Sequence, residues 1–313
     1  MQKFQRGLSE EFIEALRELG KQPGWWKDVL DDASLVIGIR DEEFDVYLNG
    51  QSIFHACFAG GKVKVNTNVK YLLDPALEDR VALKDDGEFE AVPEPLLKRY
   101  VPGDLAKMKK AADLFSGLEK QGVHAVVLGN EDVIDVEIRL DAKDLDTERD
   151  NPRIDIAALE QRPNGYELVF WEAKLFVNPE LRAKKGPAAV IGQIKEYIKV
   201  LEPHQKHVLS SYRRVAQNLV EIADMSGGRR NVGAAIRAVA AGEGLFLGTP
   251  ARVGLAVFGF KQDHKRKGSD GAKHFGKLKV DLGECPIRAC GKAADLRLCL
   301  APRRFHDPSH SPQ

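Results

Sequence analysis

The sequence predicts an α/β protein, a central mixed sheet flanked by helices, with an antiparallel β-rich region ahead of it. Three observations predict it. Residues 34–73 are dense in β-branched and aromatic side chains and are interrupted by Asn49-Gly50, a strong hairpin signal. Residues 103–202 order as helix, strand, strand, strand, helix. The strand pattern at 167–175 is apolar nearly throughout before it reaches Glu172-Ala173-Lys174, as expected of a strand covered on both faces.

In chain order, residues 8–20 read as a helix with Ser9 as N-cap, Phe12, Ile13, Leu16 and Leu19 on one face, and Gly20 as its end. Trp25 and Trp26 beside it belong in a core. Within the β-rich region, the alternation of residues 62–70 turns Lys62, Lys64 and Lys70 to solvent together. Pro75, Pro93, Pro95 and Pro102 among charges mark a connector, placing a boundary near residue 100.

Residues 103–121 read as one helix with Leu105, Met108, Ala112, Phe115 and Leu118 along its stripe and Gly122 as its stop. Residues 133–141 alternate, with Ile134, Val136, Ile138 and Leu140 inward and Asp135, Glu137, Arg139 and Asp141 outward, as in a half-buried strand. A charged loop at 142–152 leads to a strand carrying Ile154, Asp155 and Ile156. Asn164-Gly165 then turns the chain into the apolar strand. Helices follow at about 187–202, opened by Pro187, at 209–224, and near 230–241, then strand patterns of which 253–260 is the better. The three regions expected are 1–100, 101–280 and an irregular tail at 281–313.

Composition narrows the function classes. The chain has 313 residues, 43% hydrophobic and 30% charged, with zero formal net charge. No overall basic field announces a polyanion partner, so a nucleic-acid surface must be a local patch. No apolar run is long enough to span a bilayer, and none follows the first basic residues, so a cytoplasmic chain with no membrane partner is expected. Four cysteines in that setting predict reduced thiols rather than a disulfide framework.

Chemistry concentrates between Arg153 and Tyr197. Residues two apart on a strand share a face, so Glu172 and Lys174 project together. Antiparallel pairing through Asn164-Gly165 brings Asp155 beside Glu172. Two carboxylates and the Ala173 carbonyl are hard oxygen donors suited to Mg²⁺, with Mn²⁺ as a substitute. A lysine beside such an ion suits phosphodiester cleavage, in which its ammonium stabilises developing charge. The competing reading is a strand-edge acid and a surface ion pair. Charges that end an apolar strand are costly, and this favours the site.

The order helix–β–β(Asp155)–β(Glu172-x-Lys174)–helix(Gln193-x-x-x-Tyr197) resembles the PD-(D/E)XK nuclease superfamily, and its helix motif is similar to the RecB-type branch. The likeness covers about 103–202, with the strand at 253–260. It implies a restriction-endonuclease-like core and metal-dependent hydrolysis of DNA. Asp155 and Glu172 would be metal ligands, Lys174 the catalytic lysine, and Gln193 and Tyr197 orienting residues on one helix face. It also implies a further acid from the first helix, for which Glu119 is the candidate, with Glu137 as a competitor. Ile154 stands where the motif often has proline. The alternative is a catalytically inactive nuclease-fold protein that binds nucleic acid or a protein partner.

Outside that stretch, Cys57, Cys285, Cys290 and Cys299 are laid out loosely like a cluster site, but their spacing fits neither that nor a zinc knuckle with His306. His124, His204 and His207 are not needed by the chemistry. Arg182, Lys184 and Lys185 lie near the expected site and could meet phosphate. Arg213, Arg214, Arg229, Arg230 and the run Lys265-Arg266-Lys267 could extend a groove or be solvated surface.

Overall fold

A computed structural model describes residues 4–72, 97–139, 153–183, 185–265 and 269–299. Pro75, Pro93, Pro95, the loop at 142–152, Leu140, Asp141, Lys184, Arg266, Lys267 and His306 lie outside these residues.

The chain opens with α1 (Glu10–Gly20), whose N-cap Ser9 accepts a hydrogen bond from the Phe12 amide. α2 (Trp25–Asp31) follows, with Trp26 fully buried and Trp25 stacked near Phe44. Then come β1 (Val36–Ile39), β2 (Glu43–Leu48), β3 (Gln51–Ala59) and β4 (Lys62–Asn66), a four-stranded antiparallel sheet in that order. Asn49 and Gly50 make the β2–β3 turn with φ of 50° and 74°, the left-handed pair that such a hairpin requires. Lys62 and Lys64 are exposed on β4, whereas Lys70 sits in a 3₁₀ turn and bonds Gln51.

Where one helix was expected over 103–121 there are two, α3 (Leu105–Leu114) and α4 (Leu118–Leu128). Gly122 does not stop a helix but lies inside α4. A Cβ there would lie 2.0 Å from the Phe258 ring, so the glycine permits a close helix–sheet approach. The break falls instead at Phe115–Gly117, where the extended Gly117 becomes the N-cap of α4.

The second sheet holds β5 (Val133–Arg139), β6 (Arg153–Arg162), β7 (Gly165–Leu175), β8 (Leu245–Phe246), β9 (Val253–Phe258) and β10 (Ile287–Cys290). Its order is β10-β9-β7-β6-β5, with β8 also pairing β7. β5–β6–β7 are antiparallel, and β8 and β9 run parallel to β7, so the sheet is mixed. β10 was expected to be irregular tail. It is the parallel edge strand beside β9, and α9 (Asp270–Leu282) replaces much of the expected basic loop. A one-turn α8 (Gln262–Lys265) precedes it.

α5 (Ala189–Leu201), α6 (Gln205–Met225) and α7 (Ala234–Ala240) share the larger apolar core with one face of this sheet. α5 begins after Ala188, so Pro187 precedes it rather than opening it. Val123, Val126 and Val127 of α4 pack on the other face with Trp171, Ala173 and Phe258. The larger core also contains Phe12, Leu16, Trp26 and Phe44, so apolar packing is continuous across position 100.

β5 departs from simple alternation. A bulge after Val133 and a φ of 50° at Glu137 break its register, and both Asp135 and Glu137 are buried rather than solvent-facing. Asp135 pairs with Arg40 at 2.8 Å and Arg6 at 3.3 Å and accepts from the Tyr212 hydroxyl at 3.0 Å. The groove arginines have similar duties. Arg214 donates to the Leu8 carbonyl, and the half-buried Arg230 donates to the carbonyls of Val29, Asp32 and Leu35, fastening the N-terminal region to the core. No helix among the described residues is long and apolar enough to cross a membrane.

Candidate active site at a parting of two strands

β6 and β7 pair through Ile156↔Trp171 and then part. Beyond that point β6 stays with β5, and β7 stays with β9 through Leu175↔Phe258. The parting leaves backbone groups of β7 with no strand to answer them, and buried backbone donors must be satisfied somewhere. Side chains answer them here. Asp155 Oδ2 accepts from the Ala173 amide at 2.9 Å, and Glu119 Oε2 accepts from the Leu175 amide at 2.9 Å. A strand residue points its N–H and C=O to the same side, so the Ala173 carbonyl faces the same gap.

Glu172 and Lys174 rise on one face of β7, with Lys174 Nζ 2.7 Å from Glu172 Oε1. Lys174 Nζ also lies 2.8 Å from Glu180, in the 3₁₀ turn that follows the strand. Glu172 is only 2% exposed, and its second oxygen, Oε2, has no hydrogen-bond partner among the described residues. Above it on α5, Gln193 Nε2 donates to the Tyr197 hydroxyl at 2.7 Å, and that hydroxyl donates to the Arg153 carbonyl at 2.7 Å. The i,i+4 pair therefore clamps the start of β6, two residues before Asp155. Gln193 Oε1 is buried and without a partner among the described residues as well.

A second lysine, which no motif announces, also reaches the site. Lys120 of α4 comes to the gap from the opposite face of the sheet. Its ammonium pairs with Glu137 and lies 3.6 Å from Asp155 Oδ1. Glu137 also pairs with Arg153 at 3.5 Å. No short motif links positions 120, 137 and 180, and only the fold gathers them. Glu119, the expected helix acid, is taken up by the Leu175 amide and by Asn178 at 2.7 Å.

The electrostatics follow from burial. Burial, then the nearby Asp155 charge, push the Glu172 carboxyl far above its ordinary range, and Lys174 only partly opposes them. Burial raises Asp155 too, against Lys120 and the Ala173 amide. For Lys174 burial alone would favour the neutral amine, but the Glu172 and Glu180 carboxylates more than reverse it and keep the ammonium. His124 is engaged away from the gap, against Ser34. Burial lowers its pKa, and its ring contacts the Ser34 carbonyl at 2.9 Å. Arg182 donates to the carbonyls of Phe176 and Asn178 and covers the Phe176 ring. The four cysteines are free, and burial pushes the Cys299 thiol up to about 12, where it is unreactive.

The gap offers hard oxygen donors of the class a divalent cation takes. Asp155 Oδ1, the partnerless Glu172 Oε2 and the Ala173 carbonyl are oxygen donors at its rim, and Mg²⁺ characteristically keeps waters on its remaining positions. No group of three or more His, Cys, Asp or Glu that could hold a metal is found among the described residues. Compared with family models, curated proteins and solved structures, the chain matches none.

Proposed function

We propose that this chain is a divalent-metal-dependent phosphodiesterase that hydrolyses DNA, built on a restriction-endonuclease-like core. One observation carries the reading. Where β6 and β7 part, a half-buried and a buried carboxylate, a strand carbonyl and a fixed ammonium converge, and one buried carboxylate oxygen is left without a partner among the described residues. Buried polar atoms are normally satisfied, so an orphan at such a place calls for a ligand. The order α4–β5–β6–β7–α5–β9, with β9 parallel to β7, supports the same reading, as does the resemblance of D…ExK…QxxxY to the PD-(D/E)XK superfamily.

In this reading Asp155, Glu172 and the Ala173 carbonyl hold the ion. When bound, the ion supplies Lewis acidity, polarising the phosphoryl group and acidifying water. Lys174 has a different duty. Its side chain is 10% exposed and is fixed from both sides, so the ammonium is preorganised beside the phosphate and costs no reorganisation as negative charge develops. Gln193 and Tyr197 hold the Arg153 carbonyl and thereby the start of the strand that aims Asp155.

The test is cleavage of labelled single- and double-stranded DNA with Mg²⁺ or Mn²⁺. The parent cuts, and Lys174→Ala and Asp155→Ala, folded by circular dichroism, lose at least about 10²-fold, the scale of one preorganised electrostatic group. Folded variants that cut as well as the parent would overturn the site. Metal-independent DNA binding without cleavage by the parent would assign the fold to binding alone.

A further inference from the structure

Lys120 resembles Lys174 in charge but not in setting. Lys174 is enclosed. The Lys120 side chain is 40% exposed and reaches the gap from α4. The β2–β3 turn covers its stem. A Cβ on Gly50 would stand 2.8 Å from Lys120 Cβ and Cδ, and φ at Gly50 is 74°, so only glycine lets the turn lie so close. The turn is itself fixed to the α3–α4 break, with Asn49 Nδ2 donating to Asp113 at 2.7 Å and Gln51 Nε2 to the Phe115 carbonyl at 3.1 Å.

On the other side, Glu137 takes a left-handed backbone, unusual for a residue with a side chain, and Arg40 holds it there by donating to the Val136 and Glu137 carbonyls. That conformation aims the Glu137 carboxylate at the gap, where Lys120 joins it to Asp155. Two acids otherwise in mutual repulsion are thus bridged by a cation that belongs to the chain and is partly open to solvent.

We infer that Lys120 is the resident counter-cation of the metal position. It holds Asp155 beside Glu137 without metal, competes with the divalent ion for Asp155, and is released toward solvent when the ion binds. This rests on the proposed metal site. The N-terminal sheet then acts on the site through Gly50, whose turn sets how closely the ammonium is held. Lys120 is a positioning residue in this account, and its release places a free ammonium beside the gap, within reach of a phosphodiester backbone.

The experiment measures Mn²⁺ binding by calorimetry to the full chain, to Lys120→Met and to Lys120→Arg, with amine acetylation of the parent mapped by mass spectrometry with and without Mn²⁺. Lys120→Met should bind Mn²⁺ about tenfold more tightly, a usual size for coupling between two ligands, and Lys120→Arg should stay near the parent. Saturating Mn²⁺ should speed acetylation of Lys120 and leave Lys174 unchanged. Equal Mn²⁺ affinities in the parent and Lys120→Met, or a Lys120 acetylation rate indifferent to Mn²⁺, would overturn the inference and leave the metal site standing. Absence of Mn²⁺ binding in every variant would overturn both.

Discussion

Glu172 is the residue whose behaviour is most constrained by its surroundings. Burial and the Asp155 charge push its carboxyl up to about 8 in the folded chain from an ordinary value of 4.5. An unfolded chain releases that proton near the ordinary value, whereas the folded chain keeps it. The associated stability is therefore fully present below pH 4.5 and is lost as pH rises through about 8, by at most about 1.4 kcal/mol per pH unit. Without divalent metal, the urea midpoint of the parent should fall between pH 6 and pH 9, and that of Glu172→Gln should fall less. Equal falls would show that the carboxyl is not held protonated by the fold. Glu172, Lys174 and Asp155 were legible in the sequence because strand period and a hairpin turn fix their relation locally. Lys120 and Glu180 were not, because each reaches Asp155 or Lys174 only through tertiary contact. Glu137 was misjudged for a related reason. Its alternation pattern says solvent, and a left-handed backbone overrides the pattern.

At the scale of elements, the turns and apolar runs were the readable part. Asn49-Gly50 turns its hairpin as its chemistry demands, whereas the β6–β7 turn lies one residue earlier than expected, at Pro163-Asn164, with Gly165 opening β7 opposite Arg162; the strand at 167–175 is central because β6 and β9 cover both its edges. The break between α3 and α4 was not readable. Only Ser116-Gly117 marks it, against an apolar stripe that runs on past it, and the glycine expected as the stop lies within the next helix. β10 escaped for another reason, since four residues paired only in parallel with a distant strand carry no local period. Gly122 supplies a test at this scale. In an exposed helix, glycine to alanine gains about 1 kcal/mol. Here the new methyl would strike the Phe258 ring, so Gly122→Ala should instead cost ~1–3 kcal/mol by overpacking. Urea denaturation decides the sign, and a stabilised variant would show that α4 can lift from the sheet without loss.

Across the whole molecule, the N-terminal region and the central sheet are joined by charge as well as by apolar packing. Asp135 of β5 meets Arg6 from the chain start, Arg40 from the end of β1 and Tyr212 from α6, and all four lie within the interior or at its margin. Removing the acid leaves two guanidinium groups facing one another with no carboxylate. Asp135→Ala should therefore cost ~3–5 kcal/mol, read as a lowered urea midpoint with one transition for both regions. Two separate transitions would show that the regions unfold independently. That ionic knot also bears on descent and on engineering. Four positions far apart in the chain hold one charge balance, so a change at any of them is tolerated only with a compensating change at another. A chimera that moves the N-terminal sheet onto a foreign core carries Arg6 and Arg40 but leaves the acid that pairs them behind, and only Asp45 of the same sheet remains near Arg40.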